Sequence, residues 1–281
     1  MTMKRNTEDA IADEMSVVGF LSPKLDAHRS FIVQDHAAWF DVCSRINKLA
    51  VSAWINHPIE TAGQDPNDPE PLAVRLMARA ISGYEAAILV LQLGMTVEGG
   101  TLARSVYETG FWIAFIMKNA PEAVRWFNLD DDHGRHGRLK AFANLYANNK
   151  ELLPGIKADL LKAAKKVEGQ PRPLGMETLA KRGTVDNYYA YYKRLCGSSA
   201  HASVMSTDHY LTFFDDGTAG HELGPDMAGI DRMLAFCGHA MIMCITTFSV
   251  TVRDLQTQSA IVKLNEEFLQ MSQQFALGNF E

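Results

Sequence analysis

A chain of 281 residues that is 47% hydrophobic is long enough for one large or two small domains with a sizeable core, which excludes global disorder. Its formal net charge of −6 and isoelectric point near 5.9 exclude a generic nucleic-acid coat protein, which would be basic. The charge is uneven: residues 122–194 hold 14 Lys and Arg against 9 Asp and Glu, leaving 13 against 24 elsewhere, so only the middle of the chain suits an anionic ligand.

The first 22 or so residues are polar, and MTMKRNTEDAIADEM has no apolar h-region, so a cytoplasmic protein is expected. Leu25 to Ile55 reads as a first helix, with Phe31, Ile32, Trp39, Val42, Ile46 and Leu49 largely at spacings of three and four. His28 and His36 are expected at its surface. Residues 58–71, PIETAGQDPNDPEP, form an acidic, proline-rich linker. The expected organisation is a helical arm over 1–57, this linker, and a bundle core over 72–281.

Pro71 suits the first turn of a helix running to about Met95, apolar on nearly all sides after Gly83. Gly99-Gly100 reads as the turn into a second apolar helix, Thr101 to Lys118, and the two predict an antiparallel pair in the middle of the bundle. Charges in such helices are informative. Glu85 lies in the first, and Arg104 and Glu108 lie one turn apart on one face of the second. Buried alone, either would cost several kcal/mol, so they must pair.

Asn119-Ala120-Pro121 ends that helix. The following DDDHGRHGRLK superficially resembles a metal cluster, but Gly134 and Gly137 loosen it and no further ligand is set by spacing. A solvated turn and no metal are expected. Arg135, Arg138 and Lys140 suit phosphate contact instead. Lys150 to Val167 reads as an amphipathic helix. Thr184 reads as the N-cap of the next helix, whose Tyr188, Tyr189, Tyr191 and Tyr192 suggest a packed face and whose C′ residue is Gly197. Arg194 and His201 then flank the helix end. A histidine moves protons near neutral pH, and an arginine grips a phosphate with two parallel hydrogen bonds. Thr207 to Pro225 reads as a long loop.

Met233 to Val252 has no formal charge and is nominally long enough to span a bilayer. Gly238, His239, Thr246, Thr247 and Ser249 favour a buried central helix in a protein with no membrane contact. Ser259 to Ala276 makes a last amphipathic helix, packing on the bundle or on a second copy in a homodimer. The four cysteines, Cys43, Cys196, Cys237 and Cys244, form no CxxC pair and read as small buried hydrophobes. No Gly-rich phosphate loop, GxSxG or HExxH occurs, and no cofactor is expected.

Arg194 and His201, six residues intervening at a helix end, resemble the Arg-(x)4–6-His signature of the HEPN superfamily, small helical domains many of which are metal-independent RNases. Leu195 departs from that pattern, which usually has a polar residue after the arginine. Residues 72 to 255 also resemble a bacterial family of uncharacterised helical proteins with an Arg-Ser-x-x-Glu helix and a Tyr…Ser…His segment. Arg104-Ser105 with Glu108 match the first part, and Tyr191, Ser198 and His201 the second.

The expectation is an all-α antiparallel bundle of about seven or eight helices. The resemblance implies an RNA endonuclease of toxin or phage-defence type, with Arg194 and His201 catalytic and RNA or another phosphate-bearing ligand as partner. The alternative is a non-catalytic ligand-binding or protein-interaction module. In either, Arg104, Glu108, Tyr191, Ser198 and Glu85 are the candidate ligand-binding residues.

Overall fold

The computed structural model describes residues 18–57, 68–200, 203–215, 217–221 and 223–275. Helices α1 (Leu25–Asp35) and α2 (Ala37–Ile55) are followed by α3 (Pro69–Leu91), α4 (Thr96–Leu145), α5 (Leu153–Val167), α6 (Met176–Gly183) and α7 (Tyr189–Leu195). Then come α8 (Val204–Thr207), strands β1 (Leu211–Phe213) and β2 (Ala219–His221), and helices α9 (Ile230–Thr251) and α10 (Leu255–Ser272). The fold is an all-α bundle, as composition and periodicity predict. The greater part of the expected linker, 58–67, lies outside the described residues, as does the polar lead-in 1–17.

α9 is the axis. After Arg232 it is apolar on nearly every side, and the residues from Met233 to Ser249 are buried except Thr246. It is long and apolar enough to cross a membrane, with a mean hydropathy of 1.7, but 89% of its most apolar window is covered by the other helices. A helix apolar all round belongs in a core, as its internal polar residues predict. Three side-chain hydrogen bonds tie it to its neighbours. Tyr107 of α4 donates to the Phe236 carbonyl at 3.1 Å, and the Cys244 thiol donates back to the Val106 carbonyl at 3.7 Å. The Cys43 thiol of α2 reaches the Leu234 carbonyl at 3.9 Å. Burial pushes the thiols of Cys43 and Cys244 up to about 12, which makes them inert packing groups. All four cysteines are free. Residues of α2, α3, α4, α6, α7, α9 and α10 share one hydrophobic core.

α3 opens at Asp68, whose carboxylate accepts from the Glu70 N–H at 3.1 Å, with Pro69 in the first turn. It pairs antiparallel with α4. Leu91 faces Gly99, and Gly83 faces Val106 and Ser105. The predicted turn at Gly99-Gly100 is displaced. The chain turns at residues 92–95, and both glycines lie inside α4. They serve close approach: a Cβ on Gly99 would sit 2.7 Å from Leu91, and one on Gly100 would overlap the Ser199 hydroxyl.

Other boundaries move for identifiable reasons. The expected single helix Leu25–Ile55 breaks at His36, whose Nδ1 is 2.6 Å from Asp231 Oδ1 in the first turn of α9. His36 is therefore a mostly covered side chain, 12% exposed, rather than a surface one. α4 continues past Lys118 with a kink at Asn119 (φ −152°, ψ 78°) two residues before Pro121. It runs through Gly134 and Gly137, so the expected solvated turn there is helix. Asp132 pairs with Lys166 of α5 at 3.0 Å, and His133 Nε2 lies 3.0 Å from the Pro171 carbonyl. Among the described residues no group of three or more His, Cys, Asp or Glu is arranged to hold a metal. The long loop after Thr207 contains an antiparallel hairpin, Leu211 opposite His221 and Phe213 opposite Ala219. Gly217, at φ 81°, supplies its left-handed turn residue. α9 begins at Ile230, after Asp226 has bonded its N–H to the Gly94 carbonyl at 3.0 Å and accepted from the Gly229 N–H at 2.9 Å.

Candidate functional site

The candidate site lies where α7 ends against α4 and α9. Thr184 is not the N-cap expected. It takes a left-handed conformation (φ 55°) and closes α6, and a short 3₁₀ turn, Asp186–Tyr188, leads into α7. The tyrosines then form the packed face their density predicts. Tyr189 and Tyr192 stack at 5.7 Å, and Tyr192 meets Phe111 of α4 edge-on at the same distance. Tyr188 and Tyr191 turn to α9.

Those ring contacts set the register of α7 on α9. Tyr188 lies 6.5 Å from His239; one turn on, Tyr191 stacks on His239 at 5.0 Å and meets Phe236 at 5.6 Å. The two helices run antiparallel. Arg194 is half-buried. Burial first, and the positive charge of Arg232 second, lower the affinity of its guanidinium for its proton. His239, enclosed by Tyr191 and by Phe268 at 4.9 Å, is held to a pKa of about 4 by burial.

Gly197 is not a helix stop. The chain continues from α7 into a π-helical turn, Cys196–Ala200. Such wide turns are uncommon and concentrate at functional sites. Ser198 is buried; its hydroxyl donates to the Arg194 carbonyl at 3.2 Å and lies 3.3 Å from the Ser199 hydroxyl. Thr101 of α4 donates to the Ser199 carbonyl at 3.1 Å. Gly100 leaves the notch in which Ser199 sits, so α4 holds the π turn from beneath. His201 follows directly but lies outside the described residues.

Arg104 and Glu108 pair as their spacing predicts. Arg104 Nη2 donates to Glu108 Oε1 at 2.6 Å, and Tyr192 Oη donates to the same oxygen at 3.1 Å. The Arg104 guanidinium also lies 5.7 Å from the centre of the Tyr192 ring. The side chains of Arg104 and Glu108 are 25% and 30% exposed, so this network bridges α4 to α7 at the rim of the core. Its third member, Tyr192, was not among the candidates from sequence.

Glu85 stands apart. Gly83 faces α4, and two residues on in a helix is about 200° round the axis. Glu85 is exposed and accepts from Asn47 of α2 at 2.8 Å. It lines a separate cavity of about 330 Å³ with Phe40, Ser44 and Tyr84. The structure thus gathers Arg104, Glu108, Tyr191, Arg194 and Ser198 around α7 and the π turn, and leaves Glu85 on another face.

Comparison with curated proteins and with solved structures finds no match. One family matches residues 71–218, over half of the chain. The match spans α3 to the hairpin and includes Arg104, Glu108, Tyr191, Arg194, Ser198 and His201. The chain is therefore a member of DUF5677, a family of unknown function.

Proposed function

We propose that this protein is a HEPN-like, metal-independent RNA endonuclease of the cytoplasm, in a toxin or phage-defence setting, in which Arg194 grips the scissile phosphate and His201 transfers the proton. The observation that carries the reading is the position of Arg194. The residue is half-buried at the junction of α7 and the π turn, at the end of the basic stretch 122–194. A guanidinium held at such a partly desolvated site binds a phosphate more strongly than one in bulk water, through charge-assisted hydrogen bonds. In the proposed reaction the 2′-hydroxyl of RNA attacks its own phosphorus. His201 takes the hydroxyl proton or returns one to the departing 5′-oxygen, leaving a 2′,3′-cyclic phosphate and a 5′-hydroxyl. Arg194 offsets charge developing on the non-bridging oxygens. The nucleophile comes with the substrate, so the scheme requires no metal or cofactor.

The test is incubation of purified protein with total RNA in EDTA, beside Arg194→Ala and His201→Ala, with thermal melts of all three. Cleavage by wild type, lost in both variants at unchanged Tm, is the expected result. No cleavage by wild type under any of these conditions overturns the reading.

A specific observation favours a second reading, a non-catalytic module whose polar cluster is structural. Glu108 is already satisfied by Arg104 and Tyr192 and has no need of a ligand. On that reading Arg194→Ala and Glu108→Gln both lower Tm, and neither affects RNA.

A further inference from the structure

We infer that the helical hairpin of α4 and α5 docks this protein on a bilayer surface bearing anionic headgroups, its tip entering the interface and its lysines meeting the lipid phosphates. The inference goes beyond the nuclease reading and does not depend on it.

The hairpin stands clear of the core. Among the described residues between Leu129 and Leu179, only Ala163 is buried. Asp132 and Lys166 pair across its base at 3.0 Å. At the far end the Asn149 side chain accepts from the Glu151 and Leu152 N–H groups at 3.0 and 2.9 Å, which closes the turn between α4 and α5. The tip so formed is apolar. Phe142, Leu145 and Tyr146 share one face at the end of α4, and Leu152 follows just past the turn. They are 49%, 72%, 36% and 51% exposed. Single apolar side chains scattered over a surface need no explanation, but a group of them at one point marks a contact surface.

Charge selects the partner. Residues 133–167 hold 8 Lys and Arg against 2 Asp and Glu, leaving 19 against 31 in the rest of the chain. Arg135, Lys140, Lys150, Lys157 and Lys165 are exposed and have no carboxylate partner among the described residues. Lys150 is in the turn itself. Lys140 precedes Leu145, and Lys157 follows Leu152, by a stretch of helix about 8 Å long. An interfacial segment sinks its apolar side about 5–10 Å into the boundary between headgroups and acyl chains. With the tip at that depth, the ammonium groups of Lys140 and Lys157 lie among the headgroups, and their apolar stems tolerate the approach.

Other partners fit this surface less well. Single-stranded RNA calls for aromatic faces set among the cations, and the most exposed tip residue, Leu145, has no ring to offer. A second copy docked tip to tip would face one basic hairpin with another. The proposed contact is peripheral: α9, the helix long enough to span a bilayer, stays buried in the bundle.

The full-length protein is sedimented with vesicles of phosphatidylcholine alone and of phosphatidylcholine mixed with phosphatidylglycerol. Thermal melts accompany every variant; the substituted side chains are exposed, so Tm should not move. Wild type should bind the mixed vesicles in preference to the neutral ones and be released as salt is raised. The double variant Phe142→Ser, Leu145→Ser should bind the mixed vesicles more than about tenfold more weakly. Lys140→Ala, Lys150→Ala and Lys157→Ala should each lower affinity about fivefold. The control Leu255→Ser, Lys263→Ala removes an exposed leucine and an exposed lysine from α10 and should bind as wild type does. No binding of wild type to the mixed vesicles, or tip and lysine variants that bind them as well as wild type, overturns the inference. A protein that ignores vesicles but shifts RNA on a gel through the same lysines also overturns it and assigns the hairpin to nucleic acid. So does one that ignores vesicles but self-associates in a way the tip variant abolishes. Vesicle binding and RNA cleavage are read in separate assays, so this inference and the nuclease reading can each fail alone.

Discussion

Acidification should destabilise this protein through His239. The ring is 8% exposed, sandwiched by Tyr191 at 5.0 Å and Phe268 at 4.9 Å, and burial holds its pKa to about 4. In the unfolded chain an ordinary histidine titrates near 6.5. The unfolded state therefore binds more protons between those two values, and stability falls as the pH drops through that window. Integrating the linkage from pH 7.5 to pH 5 gives a loss of about 2 kcal/mol from this residue. That corresponds to a Tm lower by roughly 5 °C in a chain of this size. Urea unfolding of wild type and His239→Leu at both pH values measures it. The leucine variant has its own packing cost, but that cost is common to both pH values and cancels in the comparison. His28, whose pKa burial also lowers, is present in both proteins and cancels likewise. Wild type should lose about 2 kcal/mol more than the variant between pH 7.5 and pH 5. Equal losses would mean that His239 is not held neutral, and the enclosure by two rings would then have no electrostatic consequence.

Two further substitutions test how α4 is held. Gly183→Ala should destabilise by about 1–3 kcal/mol in urea unfolding, because its Cβ would lie 2.7 Å from the Ala114 Cβ and 3.1 Å from that residue's backbone carbon, which cannot rotate away. An unchanged midpoint would show that α6 can slide on α4. In a double-mutant cycle, Glu108→Ala and Tyr192→Phe should couple by about 1 kcal/mol, since each removes the 3.1 Å bond to one carboxylate oxygen. Additive effects would mean that the Arg104 pair alone orients Glu108.

Much of the secondary structure was legible because it depends on local pattern. The apolar run of α9 and the antiparallel pairing of α3 and α4 follow from periodicity and backbone chemistry, as does a proline-led start of α3, expected at Pro71 and found two residues earlier at Pro69. The i, i+4 spacing of Arg104 and Glu108 predicted their pairing for the same reason. The errors share a cause. Gly99-Gly100, Gly197 and Gly134 were read as breakers, yet all are helical or π-helical in the structure. At Gly100 the missing side chain is required by a neighbour, Ser199, that is distant in sequence. His36 was assigned to the surface because its partner, Asp231, is 195 residues away.

The sequence by itself determined an all-α chain with a buried central helix, an ion pair on one face of α4, and a tyrosine-dense helix ending in Arg194. These are properties of spacing at 3.6 residues per turn and of which residues tolerate burial. Only the tertiary structure decided which helix faces which. It separated Glu85 from Arg104, joined Tyr192 to Glu108, and brought His36 to Asp231. Those pairings depend on helix register across the core, and register is a property of packing between segments that no single segment encodes.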